Sequence, residues 1–121
     1  MVSGPASPHT VRVFRAVAAS VAARAGMAID AIDECKILVD EAATMVLRSG
    51  IPRTLSLTLE TSFARVHAIV ESDGDPTDWP GDRTHGWPWR VIGGLASSAR
   101  CEVGETGPAV VFEMDRAVST T

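Results

Sequence analysis

The chain has 121 residues, and a chain of this size can bury roughly two thirds of its unfolded surface in one core. Its hydrophobic fraction of 45% and charged fraction of 21% are ordinary for globular proteins, which excludes global disorder. The net charge is -4 and no run of lysine or arginine occurs, which excludes a protein that binds DNA or RNA through the phosphates.

Arginines interrupt the most apolar part of the chain, at Arg12, Arg15 and Arg24. No stretch therefore reaches the roughly 18 apolar residues of a membrane span, and the start of the chain lacks the basic and apolar regions of a secretory signal. We expect a cytoplasmic protein that does not enter a membrane. Its two cysteines, Cys35 and Cys101, are expected to be free, buried thiols rather than a disulfide.

A helix is predicted over residues 9–25. Val13, Val17 and Val21 repeat at i, i+4 and i+8, which is typical of the apolar face of a helix, and Gly26 is a suitable end.

A second, longer helix is predicted over residues 30–48. Asp30 is a good N-cap, Arg48 suits the last turn and Gly50 marks the end. The residues expected to form its apolar face are Ile32, Cys35, Val39, Ala42 and Val46.

Two strands and a long loop follow. Residues 54–60 alternate leucine with serine or threonine, and residues 66–70 alternate again, so a β-hairpin is predicted. Residues 72–89 contain three prolines, three glycines and four aspartates, which indicates a long loop of the kind that often carries function.

The last predicted elements are a helix and a hairpin. Pro88 suits the first turn of a short helix over residues 89–98, and strands are expected over residues 99–103 and 109–114. The element order predicts an α+β fold, a two-layer sandwich in which three helices cover one face of a mainly antiparallel (mixed) sheet.

The expected domain organisation is simple. Residues 1–8 are predicted to be a flexible lead-in or the frayed edge of a first strand, because they hold two prolines, a glycine and two serines. Residues 9–116 form the single domain, and residues 117–121 are predicted to be a disordered tail.

The segment from Ile37 to Leu47, ILVDEAATMVL, carries Glu41 on the long helix and precedes a hairpin, a Gly/Asp loop and a helix that opens near a glycine. In this order of elements the chain resembles the GHKL-type (Bergerat) ATPase fold over residues 10–115. Within that superfamily it is similar to the small anti-sigma factors and serine-protein kinases of the RsbW and SpoIIAB type.

The resemblance implies a catalytic position at Glu41, which matches the family's general base. Four residues later on the same helix face the family has an asparagine that binds magnesium, and this chain has Met45. A thioether is a poor ligand for a hard cation, so no metal ligand is assigned.

The family's two nucleotide motifs are incomplete. The D-x-G-x-G motif that recognises adenine corresponds to Ser72, Asp73 and Gly74, with Pro76 at the second glycine. The glycine-rich turn that holds phosphates corresponds to Gly86, and it is followed by a proline that has no N–H to offer. Binding of ATP or ADP with Mg²⁺ is expected to be weak or absent.

The resemblance also implies protein partners. Arg15 lies at the position of a family arginine that contacts both the sigma factor and the anti-anti-sigma factor, and Arg12 is the neighbouring candidate. Trp79, Trp87 and Trp89 could form a docking surface or a plug over the nucleotide pocket, or could tie the loop to the core.

The favoured interpretation is an anti-sigma factor, a homodimer that sequesters an alternative sigma factor and is released by a STAS-type anti-anti-sigma protein. One alternative is an active ATP-dependent serine-protein kinase that phosphorylates this antagonist. Another is a non-catalytic scaffold outside the sigma network.

Overall fold

The computed structural model describes residues 1–116. Its strands form one five-stranded sheet in the order β1-β2-β3-β5-β4, and every neighbouring pair is antiparallel. In chain order the elements are β1 (Val2–Pro5), α1 (Pro8–Arg24), α2 (Ile29–Leu47), β2 (Thr54–Ser62), β3 (Arg65–Ser72), a 3₁₀-helix (Gly81–His85), α3 (Trp87–Leu95), β4 (Ser98–Val103) and β5 (Pro108–Asp115).

The three α-helices share one face of this sheet. Side chains that alternate along the central strands point toward them, and α2 packs between α1 and α3. The predicted α+β two-layer sandwich is confirmed, and the sheet is antiparallel throughout rather than mixed. The largest fully buried side chains are Phe14, Phe112, Leu38, Leu55, Leu57, Ile92 and Met114.

The predicted apolar face of α1 is wrong by one residue. The buried positions are Thr10, Phe14, Ala18 and Ala22, whereas Val13 is 39% exposed. Phe14 fills more of the core than a valine could, and the alanines that follow it let α1 approach α2 closely. The valine positions and the positions that are buried both repeat at helical spacing in this alanine-rich segment, so periodicity alone does not show which set faces the core.

The buried face of α2 is confirmed, with four of the five predicted residues in the core. Its predicted N-cap is wrong, because Ala28 occupies that position and the Asp30 carboxylate instead accepts a hydrogen bond from the Ala31 N–H at 3.0 Å. Gly26 after α1 and Gly50 after α2 both adopt positive φ, +83° and +71°, as expected of residues that end helices.

Residues 1–8 are not a free lead-in. Val2–Pro5 form β1 at the edge of the sheet and pair with β2, and Ser7 caps α1 by accepting a hydrogen bond from the Thr10 N–H. The predicted tail, residues 117–121, lies outside the described residues.

The expected loop over residues 72–89 is shorter than predicted. Ser72 belongs to β3, a 3₁₀-helix occupies Gly81–His85, and α3 begins at Trp87 rather than at residue 89. Pro88 stands in the first turn of α3, as predicted. In residues 1–116, no helix combines the length and the apolar character needed to cross a bilayer. Cys35 is buried, Cys101 is half-buried, and both are free.

Candidate functional site

Three segments meet at the C-terminal end of α2. They are the connection that follows α2, the acidic turn at residues 72–75, and the 3₁₀-helix that precedes α3. The Asp75 N–H donates to the Ser49 carbonyl at 3.1 Å, and the Ser49 hydroxyl donates to the Asp75 carbonyl. Gly74 lies so close that a Cβ there would stand 2.0 Å from the Ser49 oxygen. The acidic turn is therefore fixed on the helix end by its backbone.

Ser72, the residue at the adenine-recognising position, is committed to the protein's own backbone. Its side chain is buried, the hydroxyl donates to the Val46 carbonyl at 2.9 Å, and its oxygen accepts from the Gly74 N–H at 3.2 Å. Ser72 is also only 1% exposed, so its hydroxyl presents neither a donor nor an acceptor to an adenine ring.

Asp73 is also used internally. One carboxylate oxygen accepts hydrogen bonds from the Arg53 N–H at 2.7 Å and the Thr54 N–H at 2.9 Å. These N–H groups favour the charged form and lower the pKa of Asp73. The carboxylate joins the acidic turn to the start of β2.

Glu41 is half-buried on α2, where burial and the neighbouring Asp40 raise its pKa and Arg48 lowers it. A raised pKa suits a general base that works near neutral pH. Met45, one turn further along the helix, is only 2% exposed and belongs to the hydrophobic core. The position that would hold magnesium therefore presents no oxygen ligand. In residues 1–116, no three His, Cys, Asp or Glu side chains are arranged to share a metal ion.

The start of α3 offers few free N–H groups. Gly86 is the N-cap, but its N–H already donates to the Arg83 carbonyl at 3.1 Å. Pro88 has no N–H, and the Arg90 N–H returns to the Gly86 carbonyl. Phosphate binding at a helix start depends on several unpaired N–H groups that point to one anion, and at this turn Gly86 and Pro88 supply none.

These residues do not fit a nucleotide with Mg²⁺. The serine at the adenine position is buried and bonded to the backbone, the magnesium position is a buried thioether, and Gly86 and Pro88 offer no N–H at the phosphate position. Glu41 keeps its place on α2, but no catalytic step can be derived for it from this arrangement.

Arg15 lies on the outer side of the helical layer. Its Nη1 is 3.1 Å from the Asp40 Oδ2 on α2, and the two side chains are 37% and 36% exposed. Arg12 is exposed one turn earlier. Asp40 could not be recognised from the sequence as the partner of Arg15, because the two residues are 25 positions apart and lie on different helices.

The predicted tryptophans differ in environment. Trp87 is 70% exposed at the start of α3, whereas Trp89 is half-buried and packs against the core. Arg83 was not among the predicted site residues, but its side chain donates to the Arg48 carbonyl at the end of α2. Residues 72–89 contain no other lysine or arginine, and this isolated positive charge in an acidic loop could have indicated a structural role for Arg83.

The face of the sheet opposite the helices carries a cavity of about 790 Å³. Hydroxyl side chains of β2 and the half-buried Ile69 line it, together with glutamates. Ala109 and Val111 are about 1% exposed, although none of the helices within residues 1–116 covers this side. This open sheet face is concave and partly apolar.

The sandwich of one antiparallel sheet and three helices is consistent with a GHKL or RsbW-like fold. No protein-family model matches the chain. The chain is 27% identical over 90 residues to the serine-protein kinase RsbW of Staphylococcus epidermidis, covering 70% of this chain and 57% of that protein. The same values hold for RsbW from strains ATCC 12228 and RP62A.

The chain thus spans a little over half the length of the curated relatives it matches, 57% of each. An identity of 27% over 70% of the chain supports a distant relationship to RsbW proteins.

Proposed function

We propose that the chain is an anti-sigma factor of a partner-switching system. It sequesters an alternative sigma factor in the cytoplasm and is released by a STAS-type anti-anti-sigma protein, with weak or absent use of ATP. The observation that carries the proposal is the similarity to RsbW over 90 residues, which spans 70% of the chain. We also propose that residues 9–116, together with β1, act as one anti-sigma domain.

Arg15 is the proposed contact for both partners. Its ion pair with Asp40 joins two partly exposed side chains, and such pairs contribute roughly 0–1 kcal/mol. A partner carboxylate can therefore replace Asp40 at little cost, and the guanidinium is already oriented on the outer helical surface. Arg12 and the exposed ring of Trp87 are proposed to extend the contact, while Trp89 supports the core.

The test is calorimetry of the purified chain against each alternative sigma factor of its organism. We expect one of them to bind, and Arg15→Ala to weaken that affinity about tenfold or more, as expected when a central charged contact is lost. Arg24→Ala is the matched control, since Arg24 is an exposed arginine in the last turn of the same helix. Absence of binding to every sigma factor would refute the proposal.

Release is tested by competition. Adding the STAS-type protein should displace the bound sigma factor, and Arg15→Ala should weaken both complexes because the same guanidinium serves both. If the variant weakened one complex and left the other unchanged, the shared contact would be wrong.

The second candidate function is an active serine-protein kinase. The relatives are named as serine-protein kinases. Glu41 lies on α2 at the position of the family's general base, and burial raises the pKa of its carboxyl group. This candidate predicts transfer of phosphate from Mg-ATP to a serine of the anti-anti-sigma protein, and loss of that transfer in Glu41→Gln. Phosphotransfer that persists in Glu41→Gln would exclude this role for Glu41.

Self-association as a homodimer is proposed through the open sheet face. Its concave shape, short hydroxyl side chains and partly apolar floor suit contact with a second copy. Sedimentation velocity should give a dimer for the natural chain and a monomer for Thr58→Arg, which places a charge on this face. A monomer at micromolar concentration of the natural chain would contradict the proposal.

A further inference from the structure

Residues 76–86, called here the connecting segment, join the acidic turn to α3. The segment begins from a fixed point, because Asp75 is bonded to Ser49 through both its N–H and its carbonyl. Its first residues are further ordered by Thr77, whose N–H and hydroxyl both donate to the Asp75 carboxylate. The segment therefore follows a defined path across the end of α2.

One side chain fastens the middle of the connecting segment to the helix. Arg83 Nη2 donates to the Arg48 carbonyl at the C-cap of α2, at 3.1 Å. Its Nη1 lies 3.3 Å from the Pro80 carbonyl and 3.4 Å from the Asp78 carbonyl. A cation at a helix C-terminus is favoured by the helix dipole and satisfies a carbonyl that has no partner within the helix.

The same guanidinium also holds an aromatic ring. The Arg83 Cζ is 5.7 Å from the centroid of Trp79, within the range of a cation–π contact. Trp79 packs against the hydrophobic core, and its Nε1 is the one buried side-chain N or O atom in residues 1–116 without a hydrogen-bond partner. The ring is thus kept in place by packing and by Arg83, and its own N–H contributes nothing.

We propose that the connecting segment is a built-in plug that fills the nucleotide hollow with Trp79 and Arg83, so that the domain binds neither ATP nor ADP. The hollow meant here is the place beside the acidic turn where the resemblance puts the nucleotide. The connecting segment lies over the end of α2 to which that turn is also bonded. This inference rests on the proposed function and deepens it, because a plugged hollow makes partner binding independent of nucleotide.

The surface outside the plug is also unsuited to a triphosphate. A cavity of about 690 Å³ lies there, and its charged residues are Arg48, Asp78, Asp82 and Arg83. Two arginines are balanced by two carboxylates, and the guanidinium of Arg83 is already bonded to three backbone carbonyls. A phosphate chain would meet no net positive charge in this cavity.

The experiment measures nucleotide binding and segment mobility on the same purified chain, with no sigma factor present. Fluorescence anisotropy with a labelled ATP analogue and Mg²⁺ should show no saturable binding up to about 1 mM. Hydrogen–deuterium exchange should show that Arg83→Ala speeds exchange in residues 76–86 about tenfold or more. Arg90→Ala is the matched control, because Arg90 is an exposed arginine on α3, and it should leave the segment unchanged.

Trp79→Phe gives an independent check that keeps the Arg83 side chain. It replaces the indole by a smaller phenyl ring, which loses packing against the core and weakens the contact with Arg83, so exchange in the segment should also rise. Micromolar ATP binding by the natural chain, or unchanged exchange in either Arg83→Ala or Trp79→Phe, would overturn the plug. Any of these results together with retained sigma-factor binding would leave the proposed function standing.

Discussion

Ser72→Ala removes a hydroxyl that fixes the acidic turn to α2. The hydroxyl makes two buried hydrogen bonds, to the Val46 carbonyl at 2.9 Å and from the Gly74 N–H at 3.2 Å. Each such bond contributes about 0.5–1.5 kcal/mol, and Val46 would keep only longer contacts such as that from the Ser49 N–H at 3.4 Å. We expect the free energy of unfolding to fall by about 2 kcal/mol.

The corresponding change in melting temperature follows from the size of the chain. At roughly 2.1 cal/mol/K per residue, 121 residues give an unfolding entropy near 0.25 kcal/mol/K, so the loss corresponds to about 8 °C. Differential scanning calorimetry should be compared with Ser56→Ala, a half-buried serine on the open sheet face, which is expected to shift the melting temperature by about 2 °C or less. Equal shifts in the two variants would refute the role assigned to Ser72.

Burial raises the pKa of the Cys35 thiol from 9.0 to about 11, so the unfolded chain loses its proton first and stability should fall between pH 9 and 11. The contribution of Cys35 should reach about 3 kcal/mol in urea titrations, and Cys35→Ala should reduce the fall without abolishing it, because burial also raises the pKa of the Cys101 thiol to about 11. Phe14→Ala should cost about 3–5 kcal/mol by thermal melting, while Val13→Ala should cost well under 1 kcal/mol; similar losses would contradict the corrected face of α1. Gly74→Ala should destabilise by about 1–3 kcal/mol because its Cβ would meet a carbonyl oxygen at 2.0 Å. Gly93→Ala, in open space on α3, should instead stabilise by about 0.5–1 kcal/mol, and the reverse order would be inconsistent with this geometry.

The strongest local patterns were sufficient to predict the fold class. The alternation at Leu55 and Leu57 and the buried face of α2 each appear in the structure as predicted. Both patterns are amphipathic, because the apolar side of the helix and the apolar side of the strand are buried against each other between the two layers. The buried stripe of α1 could not be chosen from sequence, because valines and alanines surround the helix and only the fit of Phe14 in the core decides.

Features that depend on distant contacts were predicted only in part, and the first strand was one of two alternatives for residues 1–8. β1 has four residues, including a glycine and a proline, and it is stabilised by pairing with β2 some fifty residues away. The contacts of Ser72 and Arg83 are made to backbone carbonyls of the α2 end, and such acceptors leave no trace in the residue sequence. The helices and strands that carry the candidate site residues were therefore largely predictable, whereas the hydrogen bonds of these residues were not.

The most direct test of the account is the affinity of the chain for its alternative sigma factor, measured by calorimetry with and without Mg-ATP. We expect one sigma factor to bind with the same Kd in both conditions, because the plugged domain binds it through its protein surface alone. Binding that requires nucleotide, or no binding to any alternative sigma factor, would contradict it.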